Sequence, residues 1–399
     1  MTINGAMDQD QSLMWHGPAW FAGRASPVDA GVIPGRPPDI DVWNAFQSSL
    51  DVPKTLPSVV LVRLGAIPAN IRSGFFEWLT DRLAGFDCEV PVVWLADGQE
   101  HVPDRPRAHA VVDDQISAQA LFQRICFLQR SLVRFDEARL RRLVFGRVPR
   151  YGTAPHNSGT SGLLVIGLGN RFVEFMQAGG PKVEVIGAFN QAMAEDYLSR
   201  RGFDAVILDA PLSDSLENLR QLRMDARYAM LPVLVFAQSQ IDAGLLFDAG
   251  ATDVVPPDAA APNLQRRLSV AIRAGKRRRL SDRMLAESHT WLMQTLNDGG
   301  LAGDKYAQYL DNVNRSLGLR GLTAHELHLL PEAKIGPSGA AHAPADHDST
   351  LLSIADATSR EEDLICVVKG IGPVAVLKSE RGKARLQARV HKILSHTIL

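Results

Sequence analysis

The sequence predicts an α/β protein with two parallel-sheet segments followed by a smaller α/β segment. Three observations carry that prediction. Short runs that are apolar throughout recur from residue 58 onward and alternate with amphipathic stretches, as strands buried on both faces between helices require. A second, fuller series of the same kind fills residues 163–272. Near the C-terminal end, Leu364–Val368 and Val374–Leu377 flank Lys369-Gly370-Ile371-Gly372-Pro373, the pattern of a β-hairpin whose turn uses glycine at unusual backbone angles.

Residues 1–56 are poorly patterned and include Gly/Pro-rich pieces such as 31–38. They are long enough to supply a first βαβ portion, although no clean strand is legible there. Ser58–Leu64 then reads as a buried strand and Arg72–Leu83 as an amphipathic helix. Val90–Ala96 and Ala108–Val112 are further strands, and Ser117–Arg142 is a long helix. A polar, Pro/Gly-rich linker follows at 147–160. Beyond it, strands at 163–167, 182–187, 204–208, 232–236 and 253–255 alternate with helices at 171–177, 191–200, 215–223, 241–248 and 263–272. That alternation matches a doubly wound, flavodoxin-like sheet.

Composition excludes some functions. The chain of 399 residues has a formal net charge of −1, so its overall charge gives no argument for nucleic-acid or membrane binding. The basic run Lys276-Arg277-Arg278-Arg279 lacks interleaved aromatics, and it reads as a solvated helix end opening a helical stretch to about Leu296. Cys88, Cys126 and Cys366 lie far apart in apolar runs, which predicts buried thiols in a reducing compartment. No run approaches the length of a membrane span and no signal-peptide layout is present, so a cytoplasmic protein is expected.

The C-terminal pattern resembles the GGDEF (diguanylate cyclase) family. Arg360 and Asp363 are spaced R-x-x-D, and the five residues Leu364–Val368 separate them from the turn, as in that family's inhibitory site and signature. The signature itself departs: Lys369 stands for the first glycine, Gly370 remains, and Ile371, Gly372 and Pro373 replace the acid, the Glu and the Phe. Gly300-Leu301, Tyr306 and Leu310 are similar to the family's opening segment, with Gly303, Asp304 and Lys305 where Asn-Arg-Arg would stand. The metal-binding D-x-D-x-F-K segment has no counterpart. Residues 331–349 read instead as a mobile polar loop, in which His342, Asp346, His347 and Asp348 match no metal-ligand spacing. Cyclisation needs two metals on carboxylates, so the resemblance implies a catalytically inactive domain that binds cyclic di-GMP through Arg360 and Asp363. Glu361 and Glu362 add negative charge there and argue for modest affinity. The plain alternative for R-x-x-D is an exposed i, i+3 ion pair within a helix.

Phe203–Pro211 and Gly250-Ala251-Thr252-Asp253 resemble a response-regulator receiver, with Asp209 in the phosphoacceptor position. Here too the chemistry is eroded. Gly167-Leu168 replaces the acidic pair that would hold Mg²⁺, Ala237 replaces the hydroxyl residue, and Pro256-Pro257 leaves no lysine. The earlier α/β segment reads as a second receiver whose third strand ends in Arg63-Leu64, with no acidic acceptor. The layout is therefore a receiver-like domain over 1–150, a second over 160–275 and a GGDEF-like domain over 276–399. This order resembles the receiver–receiver–GGDEF proteins of the PleD and PopA type. The resemblance implies a non-enzymatic cyclic di-GMP effector and adaptor, without metal or cofactor. It further implies a homodimer that gathers protein partners at a cell pole for regulated proteolysis in cell-cycle control. Two other readings stand beside it: a ligand-independent scaffold built on the receivers, and a residual phospho-receiver regulator.

Overall fold

The computed structural model describes residues 15, 17–23, 42–44, 54–146, 161–237, 242–329 and 345–396. The linker at 147–160, the Gly/Pro-rich piece at 31–38, the loop at 331–344 with His342, and residue 241 lie outside the described residues.

The first sheet is built from β1 (Ala19–Ala22), β2 (Val42–Asn44), β3 (Val59–Arg63), β4 (Val92–Leu95) and β5 (Ala110–Val112), all parallel, in the order β2-β1-β3-β4-β5. This is the flavodoxin-like order. Helix α1 (Arg72–Ala84) links β3 to β4, and α2 (Ala118–Phe145) follows β5. Two of the five strands come from the stretch that looked unpatterned. Both are short, and Ala-Trp-Phe-Ala of β1 is buried at every position, so that strand lacks the alternation that marks a half-exposed one. Helix α2 starts where Ser117 Oγ accepts the Ala120 N–H at 3.2 Å.

The second sheet contains β6 (Ser161–Gly167), β7 (Val183–Ala188), β8 (Ala205–Asp209), β9 (Val233–Phe236) and β10 (Asp253–Val255), in the order β10-β9-β8-β6-β7, the same topology. Helices α3 (Phe172–Gly179), α4 (Gln191–Arg200), α5 (Leu212–Met224) and α6 (Asp242–Asp248) connect the strands. Asn190 caps α4 by accepting the Met193 N–H at 2.9 Å. Gly250 takes φ +103, with the Arg223 side chain pressed where a Cβ would stand. The buried Arg223 guanidinium donates to the carbonyls of Gly250, Tyr228 and Leu231, which explains the Gly-Ala-Thr-Asp segment in structural terms.

One expectation needs correction. The helix expected at 263–272 and the helical stretch expected from 276 are one helix, α7 (Ala261–Thr295). Gly275 does not break it; a Cβ there would fall 1.8 Å from the Asp204 carbonyl oxygen, so glycine lets the helix lie against β8's entry. Nor is the basic run a solvated helix end. Arg279 pairs with the buried Asp204 at 2.7 Å, Arg277 with Glu89 at 2.6 Å, and Arg278 donates to the Phe203 carbonyl at 3.3 Å, while Lys276 stays exposed.

The two sheets belong to one compact unit made of residues 1–132 and 154–280, and residues 133–153 and 281–399 form another. The division runs through α2 and α7. Within the first unit β5 and β10 lie close, and the N-terminal part of α7 packs against the Ala96–His109 segment that joins β4 to β5. Asn263 donates to the carbonyls of Asp97 and Glu100 at 3.0 and 3.1 Å. Arg267, fully buried, reaches Asp253 at 2.5 Å and the Val111 carbonyl at 3.3 Å, tying one sheet's last strand to the other's.

The second unit holds α8 (Gly303–Gly318), β11 (His325–His328), α9 (Ala345–Thr358), β12 (Leu364–Val368), β13 (Gly372–Leu377) and α10 (Glu380–His396). Its strands form an antiparallel sheet in the order β11-β13-β12. The segment expected to be a loop through 349 is helical from Ala345, which places Asp346, His347 and Asp348 in the first turn of α9. No helix among the described residues is long and apolar enough to cross a membrane.

Candidate functional site

Asp209 closes β8, half-buried, at the C-terminal edge where doubly wound sheets bind ligands. Among the described residues no group of three or more His, Cys, Asp or Glu side chains is placed to hold a metal ion here. Gly167 pairs with it across the sheet at φ +152, and a Cβ on residue 167 would lie 2.0 Å from the Asp209 carbonyl oxygen. No side chain, acidic or otherwise, fits there without moving the backbone. Leu168 points into solvent and Ala237 is buried at the end of β9. Arg171 occupies this edge, its guanidinium 4.8 Å from the Phe236 ring centroid and donating to the Pro257 carbonyl at 3.2 Å. In the first sheet Arg63 ends β3, the position equivalent to Asp209, with its guanidinium 6.0 Å from the Phe21 ring centroid.

The hairpin forms as the sequence indicates. Lys369, Gly370 and Ile371 make the exposed turn between β12 and β13, and the Ile371 N–H donates to the Val368 carbonyl at 3.0 Å. Gly370 and Gly372 adopt φ +78 and +99, which only glycine adopts at low cost. Gly372 is half-buried and Pro373 is buried. No carboxylate lies on the turn.

Arg360 and Asp363 lie beyond the end of α9, so they are not an ion pair within a helix. They form a tight turn. The Asp363 N–H donates to the Arg360 carbonyl at 2.9 Å, and the Arg360 N–H donates to Asp363 Oδ2 at 3.2 Å. The turn holds Glu361 outward and buries Glu362. Burial, reinforced by the adjacent Glu362, raises the Asp363 carboxyl pKa, while Lys378 and Arg360 work the other way.

Three cations surround this turn that sequence spacing did not bring together. Arg134, on α2, is buried and bonds Glu361 with one amino group and Asp282 with the other, the latter at 2.7 Å. Arg389, exposed on α10, donates to the Thr358 carbonyl at 3.3 Å, two residues before Arg360. Lys378, just past β13, is buried and pairs with Glu137 at 2.8 Å. Arg134 and Lys378 are separated from Arg360 by sequence distances that carry no periodicity. Arg389 sits among several basic residues of α10, and only the packing of α10 on α9 singles it out.

Behind the turn lies a buried polar cluster. Glu137 accepts from Arg141 Nε at 2.7 Å, from the Tyr309 hydroxyl at 2.6 Å and from Lys378 Nζ, and Lys378 also donates to the Tyr309 hydroxyl at 3.0 Å. Burial works to raise the Glu137 carboxyl pKa, but Lys378 and Arg141 together hold it below the ordinary range. Phe145 stacks on Tyr309 and on Trp291 at centroid distances of 5.7 and 5.1 Å. This cluster fastens the C-terminal half of α2 to α8 and β13.

No protein-family model matches the chain, and no curated protein matches it. Among solved structures it is similar to a putative two-component system response regulator/GGDEF domain protein, at 13% identity and a TM-score of 0.26, with 65% of this chain and 99% of that chain covered. A probable two-component system response regulator/GGDEF domain protein is similar at 14% identity and a TM-score of 0.27, with the same coverage. The C-terminus of E. coli RcsC, containing a linker region and phosphoreceiver domain, is similar at 14% identity and a TM-score of 0.24, covering 66% of this chain and 96% of that one. Likeness at this level carries nothing about activity, ligand or partner, which rest on the residues above.

Proposed function

We propose that this protein is a non-catalytic receptor for cyclic di-GMP that uses the ligand to control binding of protein partners. The observation that carries the reading is the Arg360–Asp363 turn, five residues before a glycine hairpin and flanked by Arg389. A guanidinium fork meets a guanine edge or a phosphate with two parallel hydrogen bonds, and a carboxylate accepts from guanine N–H groups. Leu168 and Phe189 are exposed, with the Phe189 ring against Gly169, and exposed apolar side chains at this edge support the recruiting half of the reading.

Calorimetric titration of the full chain with cyclic di-GMP tests it. The wild type should bind. Arg360→Ala removes a charge and a fork and should weaken binding by about 30- to 150-fold, the equivalent of losing one charged hydrogen-bonding contact. Arg360→Lys should recover little, since an ammonium cannot reproduce the fork. Absence of heat in the wild type would replace this reading with the ligand-independent scaffold.

The same preparation incubated with GTP and Mg²⁺ or Mn²⁺ should form no cyclic di-GMP, because the hairpin turn offers Lys369, Gly370 and Ile371 where a metal needs carboxylates. Product that copurifies with the protein through successive columns would overturn the non-catalytic assignment.

A further inference from the structure

We infer that Arg134 is a further phosphate-binding residue of this site and that Glu361 occupies it when no ligand is bound. The inference rests on the cyclic di-GMP reading and adds how the site is regulated. The Arg134 side chain is 5% exposed, while the Glu361 side chain bonded to it is 69% exposed. A carboxylate so open to water is held weakly and can be displaced, whereas the guanidinium beneath it is fixed by its second bond to Asp282. Asp363 N–H to Arg360 carbonyl closes a reverse turn of four residues, and Glu361 is one of its two central positions. The turn that would bind the ligand therefore aims its own carboxylate at a buried arginine. A phosphodiester at Arg360 carries the same charge and acceptor geometry as that carboxylate, so it competes for the same donor. In the proposed sequence, ligand entry swings Glu361 into solvent and its phosphate takes the Arg134 amino group that Glu361 leaves. Because Arg134 lies on α2, occupancy of the turn is then read by that helix.

The test is a set of titrations of the full chain with cyclic di-GMP. Glu361→Gln removes the competing charge at an exposed position and should tighten binding by about three- to fivefold, the fold-change equivalent to losing one half-exposed ion pair. The gain should vanish in an Arg134→Lys background, which keeps the charge but not the planar fork, and circular dichroism and a melting curve establish that this variant folds. If Arg134→Lys fails to fold, Arg134→Gln supplies the second variant, and adding Glu361→Gln to it should likewise bring no gain in affinity. A wild type that binds with Glu361→Gln equal or weaker overturns the inference and leaves the receptor reading standing. A gain of the same size in the Arg134→Lys background overturns the role of Arg134, leaving simple repulsion by Glu361. Failure of both wild type and Glu361→Gln to bind removes the receptor reading, and this inference with it.

Discussion

Replacing Arg267 with alanine should lower the thermal midpoint of the unit holding the two parallel sheets by on the order of 10 °C, read by scanning calorimetry. The guanidinium is fully buried and has a carboxylate on one side and backbone carbonyls on the other. Its Nε also donates to Asn263 Oδ1 at 2.7 Å. Removing one member of a buried pair leaves the other charge poorly compensated, here by Arg124 alone, which costs about 3–5 kcal/mol, and in a unit of this size each kcal/mol moves the midpoint by about 2–4 °C. The remaining charge is that of Asp253, whose carboxyl burial raises to about 6 even with Arg267 and Arg124 opposing.

That value sets the sign of the pH dependence. A carboxyl whose native pKa lies above its unfolded pKa binds more protons when folded, so its contribution to stability falls as pH rises between the two values. Without Arg267 the native pKa moves higher still, and the deficit of Arg267→Ala should be smaller near pH 5 than near pH 8. The double variant Arg267→Met with Asp253→Leu should recover most of the lost stability, because a buried pair exchanged for apolar residues of similar size is close to neutral. A deficit independent of pH, or a double variant no better than the single, would show that Arg267 acts through packing of its stem and not through its charge.

The parts of this protein legible in sequence are those set by local pattern. The order of strands and helices from residue 58 to 255 follows from apolar runs and breakers, and the hairpin follows from two β-rich runs around glycines. Strands β1 and β2 escaped because four and three residues are too short to show a period. The continuity of α7 escaped because Gly275 and four consecutive basic residues read as an interruption, whereas their meaning is tertiary: a close approach to Asp204 and three arginines with partners elsewhere in the chain. The candidate site divides the same way. Arg360 and Asp363 are three residues apart and visible as a motif. Arg134 reaches the turn, and Arg389 the end of α9 just before it, only through packing of α2 and α10, and no spacing along the chain encodes that.

Replacing Glu137 with leucine should be the most damaging single change in the C-terminal unit. The carboxylate is 2% exposed and neutralises Arg141 and Lys378, each 4% exposed, while accepting the Tyr309 hydroxyl. Leucine leaves two cations buried together and a hydroxyl that has lost its acceptor, a loss of at least about 3–5 kcal/mol. The wild-type contribution has the opposite pH sign to that of Asp253. The native Glu137 pKa is depressed, so its stabilisation is complete above the unfolded Glu value and is lost as the pH falls through the lower native value. Acid unfolding of this unit, followed by circular dichroism, should therefore show a limb that Glu137→Leu abolishes. The triple variant Glu137→Leu, Arg141→Met, Lys378→Met removes every charge in the cluster and should fold better than the single variant, although it carries two more substitutions. That ordering separates charge from shape: a cluster that mattered only for packing would make the triple variant the worst of the set. Lys378 also draws down the Asp363 pKa, so the triple variant should raise the pH at which that carboxyl ionises and weaken whatever the Arg360–Asp363 turn binds near neutral pH, even with both of its own residues untouched.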